Sequence, residues 1–170
     1  MQTPLPKLNV LVYNWHEPYI CLFAHTGHAF FVAPPKQHPQ KNWNRGFRPL
    51  PENVTELTSA QAEVGLRAGR FELLICLTLQ DVHAVQDLKL PRLFVMLNMI
   101  GTDVGLEGAR KEEYVAGLKA HFEEIEIAFI SEKKRADWGW DAPVVVSGID
   151  PADYGDFNGE LPRVLRVGNM

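Results

Sequence analysis

The sequence predicts an α/β fold, a single doubly wound domain with a mainly parallel sheet and helices on both faces. Three observations carry this. Apolar runs of strand length alternate with helical patterns along the chain. Most of those runs are almost continuously apolar, as strands covered on both faces are, instead of alternating with polar residues. The chain has 170 residues, 46% hydrophobic and 22% charged, enough for one sizeable core under an ordinary soluble surface.

Leu8–Tyr13 reads as the first strand. A short helix follows over Glu17–His25, with Pro18 in its first turn and Gly27 just past its end, the usual asymmetry of helix start and stop. His28–Val32 is a second strand. A long interruption then runs from Ala33 to Glu52, with Pro34, Pro35, Pro39, Pro49 and Pro51 and with Trp43, Arg45, Phe47 and Arg48 interleaved. It is either a surface loop pinned by its aromatics or a functional, partner-facing one.

Asn53–Leu57 is a weaker strand, and Thr58 and Ser59 precede a helix over Ala60–Ala68 closed by Gly69. Phe71–Leu77 is a strand, after which Asp81 reads as the N-cap of a helix over Val82–Asp87. Arg92–Leu97 is the next strand, and the glycine spacing over 101–108 is loop material. Lys111–Glu124 places Tyr114, Val115, Leu118 and Phe122 on one stripe, as a helix lying on a sheet does. Ile125–Ile130 is a strand, Ser131 caps a helix running to Trp138, and Pro143–Val146 is a last strand. Strand–helix alternation of this kind winds right-handed into a Rossmann-like sheet.

Composition removes several function classes. The formal net charge of -4 argues against an electrostatic grip on nucleic acid, which needs a basic face to displace counterions, and leaves room only for a local basic patch. No apolar run is long enough to span a bilayer, and Pro4 and Pro6 interrupt the region where a signal sequence would lie. The predicted address is cytoplasmic, or peripheral at a membrane. Cys21 and Cys76 sit in apolar stretches and read as reduced, buried thiols. The six histidines have no H-E-x-x-H or comparable spacing, so no metal site is expected. Nucleophile-elbow, dinucleotide-fingerprint and P-loop motifs are absent.

Open α/β sheets bind ligands at the carboxyl ends of their strands, which selects five loops. After the first strand come Asn14, Trp15, His16, Glu17 and Tyr19, an amide, an imidazole and a carboxylate flanked by two aromatics. That set suits hydrogen bonds to hydroxyls and stacking on a sugar face. The alternative is that Asn14 and Glu17 only cap and charge the helix start, with His16 exposed beside them. The other loops carry Gln80 and Asp81; Asn98, Thr102 and Asp103; Ser131, Lys133 and Lys134; and Gly148 and Asp150.

Segments Tyr13–Tyr19, Thr26–Phe30, Arg48–Val54, Phe71–Ile75, Ile130–Lys134 with Trp138 and Gly139, and Val146–Pro151 resemble, in order and spacing, the N-terminal domain of the family-four-like retaining glycosyltransferases with the two-Rossmann architecture. The resemblance implies a Rossmann-like acceptor-side domain over residues 1–152, with 153–170 as the crossover segment and the start of a second domain. It implies transfer of a sugar, in hexosyltransferase fashion, from a nucleotide-sugar donor to a sugar or other hydroxyl-bearing acceptor, with no metal. The donor would be held by a C-terminal domain acting in cis or in trans, so this domain binds no cofactor alone and is inactive without its partner.

In that reading Asn14, Trp15, His16, Glu17, Tyr19, Gln80, Asp81, Asn98, Thr102 and Asp103 bind acceptor. Ser131, Lys133, Lys134, Gly148 and Asp150 face the interdomain cleft. No catalytic residue carries over: the glycine-rich loop many members have after the first strand is replaced by Asn14–Pro18, and no matching histidine follows the Phe71 strand. Val164–Val167 is an apolar strand start, and the segment from Asp153 onward is expected either to fold back onto the first domain or to pair with another chain, by self-association through 162–170 or with the donor domain. The rival expectations are a stand-alone binding or assembly module that kept the fold without transfer chemistry, and a response-regulator-like or flavodoxin-like domain. The latter lacks a convincing acidic pocket or flavin phosphate loop.

Overall fold

A computed structural model describes residues 6–100, 109–122 and 124–148. The strands are β1 (Asn9–Tyr13), β2 (Ala29–Ala33), β3 (Val54–Glu56), β4 (Leu73–Cys76), β5 (Arg92–Met96) and β6 (Glu126–Phe129). The helices are α1 (Glu17–Ala24), α2 (Ser59–Arg67), α3 (Leu79–Ala84), α4 (Ala109–His121) and α5 (Glu132–Trp138). The sheet runs in the order β3-β2-β1-β4-β5-β6 with every pair parallel. This is the doubly wound Rossmann-like arrangement, whose strand order reverses between β1 and β4.

Each face of the sheet has its own core. On one, Val10, Val12, Phe30, Val32, Ile75 and Val95 meet Ile20 and Ala24 of α1 and Trp43 of the loop between β2 and β3. On the other, Leu11, Phe31, Leu74, Cys76, Phe94 and Phe129 meet Ala62 of α2, Leu79 and Val82 of α3, Leu118 of α4 and Trp138 of α5. Period-two side-chain alternation divides the strands between these two cores, and both faces must be apolar because both are covered. The first face is the less completely roofed. A cleft of about 330 Å³ between α1 and residues 145–148 is lined by Phe23, Phe30, Ile75, Leu93 and Ile130 among others.

Helix boundaries follow local chemistry. Gly27 at φ +80° and Gly69 at φ +64° take the left-handed conformation just beyond α1 and α2, which is where the sequence places the helix stops. Thr58 and Gln61 form a reciprocal capping box at the start of α2, the hydroxyl accepting from the Gln61 N–H and the Gln61 amide oxygen accepting from the Thr58 N–H. The Ser131 hydroxyl accepts from the Lys134 N–H as the sequence predicts for α5.

Two expectations are corrected. Pro143–Val146 is not a full strand: the segment meets β6 through a single parallel bridge, Phe129 to Val144, and leaves Val145 and Val146 exposed. Asp81 is not an N-cap. The helix begins two residues earlier, at Leu79, and the Thr78 hydroxyl caps it by accepting from the Asp81 N–H at 3.2 Å. Thr78 has the extended backbone an N-cap needs, whereas Asp81 is already helical. Cys21 is half-buried on α1 and Cys76 buried in β4, and neither is in a disulfide among the described residues. Among the described residues, no helix is long and apolar enough to cross a membrane.

Candidate functional site

β1 and β4 are hydrogen-bonded neighbours whose chains leave the sheet toward different helices, and the crevice between those exits is the topological switch point. Asn14, directly after β1, is 1% exposed, and its backbone N–H donates to the Ala33 carbonyl at 2.8 Å. Its side-chain Nδ2 makes a long 3.5 Å contact to Glu17 Oε1, and its Oδ1 has no hydrogen-bond partner. A buried acceptor in that state is a place for a donating hydroxyl or water.

Glu17 is buried at the start of α1 and accepts the Asn44 N–H at 2.7 Å. His16 occupies the N-cap position but makes no side-chain cap. Capping by Asn14 or Glu17 therefore does not explain this loop, although Glu17 does place a charge in the first helical turn.

Trp15 is half-buried and spans the crevice. Its indole N–H donates to Asp81 Oδ1 at 2.8 Å. Asp81 is 1% exposed and also accepts the Leu77 N–H at 3.4 Å. Burial raises its pKa above the ordinary carboxylate range, against the opposing pull of the hydrogen bonds from Trp15, Leu77 and Thr78. The same buried neighbourhood raises Tyr13 and Cys76, chiefly by desolvation and secondarily by the Asp81 charge.

His16 is the exposed member of the set. Desolvation against its neighbours, followed by the charge of Lys41, holds its imidazole below the ordinary value. Its ring lies 6.2 Å from that of Tyr19 in an edge arrangement. Tyr19 also lines the apolar cleft on the α1 face.

The structure pairs Asn14 with Glu17 and Trp15 with Asp81 where β1 and β4 leave the sheet, and sets His16 and Tyr19 in edge contact on the same loop. Gln80 is on α3 and exposed. Asn98 follows β5, and its backbone carbonyl accepts from the Trp138 indole at 3.0 Å. Ser131, Lys133 and Lys134 follow β6, so the sheet order sets these groups one and two strands beyond β4 along the same carboxyl edge. Ser131 is occupied as the α5 cap and Lys133 is exposed. Gly148 is exposed and borders the apolar cleft. Thr102, Asp103, Asp150 and residues 153–170 lie outside the described residues.

Three residues that the sequence did not single out reach these groups from the β2–β3 loop. His38 packs its ring against Trp15 at 5.3 Å between centroids and 87° between planes. Lys41 donates to the Trp15 carbonyl at 2.9 Å and places its ammonium 5.5 Å from the indole centroid. The Asn44 backbone N–H donates to Glu17, while Glu56 of β3 anchors the loop by accepting the Trp43 N–H at 2.7 Å. The loop's length and aromatic content marked it as worth attention, but nothing in its pattern said which residues would turn inward. Trp43, one of those flagged, is a core residue, while Phe47 is 62% exposed beneath the Arg48 guanidinium.

Among the described residues, no three His, Cys, Asp or Glu side chains gather so as to hold a metal ion. The cluster offers an apolar aromatic, an unpartnered amide oxygen, two carboxyl groups and an ammonium, which is equipment for binding and orienting a polyhydroxylated molecule. Comparison with known proteins gives no match to any family model, to any curated protein or to any solved structure.

Proposed function

We propose that this chain is the acceptor-side domain of a retaining glycosyltransferase, which moves a sugar from a nucleotide-sugar donor to a hydroxyl-bearing acceptor when a donor-binding domain completes it in cis or in trans. The observation that carries the reading is the composition of the switch-point crevice. Trp15 is fixed by Asp81 and directly follows Asn14, whose buried side-chain oxygen lacks a donor. An indole offers a flat apolar surface to the C–H face of a sugar, and the amide oxygen accepts one of its hydroxyls.

In transfer, the bond from the anomeric carbon to the nucleotide phosphate breaks and a bond to the acceptor oxygen forms, with the acceptor's proton leaving. This domain's share is to position the acceptor hydroxyl. Lys133 and Lys134 at the end of β6 lie on the same edge, where a donor phosphate would approach.

The test is calorimetric titration of the purified chain with a panel of mono- and oligosaccharides, together with a transfer assay using the common nucleotide sugars. Binding of at least one saccharide, lost in Trp15→Ala, without turnover by the isolated chain is the expected result, because the leaving-group contacts belong to the donor domain. Multiple turnovers by the chain alone would overturn the division of labour.

A stand-alone binding or assembly module is the second reading. It draws on the exposed Val145 and Val146 beside β6, 61% and 75% accessible, which form an apolar strip at the sheet edge. A soluble donor domain that restores turnover in mixture separates the two.

A further inference from the structure

The stretch between Pro35 and Trp43 lies over the switch-point crevice without being built into the core. Its ends are fixed. Pro34 and Pro35 are buried, and Trp43 is buried with its indole N–H donating to the Arg48 carbonyl at 2.9 Å and its backbone N–H donating to Glu56. Between these anchors, residues 36–40 are exposed. The backbone bonds there close local turns, His38 N–H to the Pro35 carbonyl and Lys41 N–H to the His38 carbonyl, both at 2.9 Å.

What joins the segment to the domain is mostly polar. Lys36 donates to the Ala84 carbonyl at 3.3 Å and pairs with Glu63 at 3.4 Å, His38 packs on Trp15, and Lys41 bonds the Trp15 carbonyl. A segment held at both ends and joined to its base by a few polar contacts belongs to the low-stability end of a fold, and it has the anatomy of a lid.

We propose that residues 36–42 form a self-occluding lid: in the free protein His38 and Lys41 occupy the surface of Trp15 on which a saccharide would stack. Asp81 holds the indole by its N–H, so the platform is fixed and the lid is the part that moves. Ligand binding then requires opening, and the observed affinity is the intrinsic affinity reduced by the fraction of open molecules. The occlusion stands on the contacts alone, whereas its ligand consequence rests on reading Trp15 as the acceptor platform.

Tryptophan emission reports the lid directly. Of the four tryptophans, Trp43, Trp138 and Trp140 are buried and Trp15 is half-buried, so acrylamide quenching senses changes at Trp15. In the double variant His38→Ala, Lys41→Ala the quenching constant should rise about twofold, and binding of the probe p-nitrophenyl glucoside should tighten about three- to tenfold as closed molecules are removed. In the unaltered protein, amide hydrogens of 36–42 should exchange at least about a hundredfold faster than those of β1, a measurement that does not depend on any variant folding.

Unchanged quenching in the double variant, or exchange in 36–42 as slow as in β1, overturns the lid. Raised quenching with the probe bound equally by both proteins also overturns it, since the segment would then gate nothing. Raised quenching with the probe bound by neither leaves the occlusion standing and removes the acceptor reading instead.

Discussion

Trp15 and Asp81, 66 positions apart in sequence, meet where β1 and β4 leave the sheet, the indole N–H donating to the buried carboxyl at 2.8 Å. The contact joins the first strand's loop to the first turn of α3, and so ties together the two chain exits that define the crevice. It also supplies one of the few donors available to a carboxyl group that is 1% exposed.

Removing that donor while keeping an aromatic ring should be costly. Trp15→Phe leaves an Asp81 oxygen buried and under-bonded, so it should lower stability to urea by about 1–3 kcal/mol. In a double-mutant cycle with Asp81→Asn, equilibrium unfolding should show a coupling energy of about 0.5–3 kcal/mol. Additive losses would mean that the two side chains do not act as a pair.

Asp81 also sets a pH signature. Burial raises its folded pKa above the unfolded value, so the stability associated with the protonated form is fully present below the unfolded pKa, about 3.9 for an aspartate, and is lost as pH rises through the folded pKa. The stability of the native protein minus that of Asp81→Asn should therefore fall as pH rises across that interval and level off above it. Thermal or urea unfolding of both proteins across mildly acidic to neutral pH measures the difference, and a flat or rising one contradicts the shift.

Two helical glycines should respond oppositely to alanine. A Cβ on Gly65 would lie 2.7 Å from both Cε2 and Cζ of the buried Phe71 ring, so Gly65→Ala should cost about 1–3 kcal/mol through overpacking, partly offset by better helix propensity. On Gly117 a Cβ meets nothing within 4 Å, and Gly117→Ala should stabilise α4 by about 0.5–1 kcal/mol. Denaturant midpoints of the two variants read the contrast directly.

The start of α2 offers a local test. Thr58→Ala removes the hydroxyl that accepts the Gln61 N–H and breaks the reciprocal capping box, which should cost about 1 kcal/mol, while Thr58→Ser should retain most of the stability. Equal losses in the two variants would place the effect in the threonine methyl group instead.

By itself the sequence determined the six strands and five helices among the described residues, though not the fate of Pro143–Val146, and the parallel, two-faced character of the sheet. Continuous apolar runs such as those of β1, β4 and β5 report burial on both sides, and a proline, a threonine or a glycine at a helix end acts through bonds to its immediate neighbours. These are local signals and survive without knowledge of the fold. Only the tertiary structure decided that β4 lies beside β1, that Thr78 and not Asp81 caps α3, and that Pro143–Val146 gives a single bridge. It also decided that His38 and Lys41 contact Trp15 and that the Asn44 backbone N–H reaches Glu17. The reason is physical: a segment's periodicity says that it needs a covering partner but not which one. Asp81 carries the same residue-level cue whether it caps a helix or accepts an indole 66 positions away, so long-range packing makes the choice.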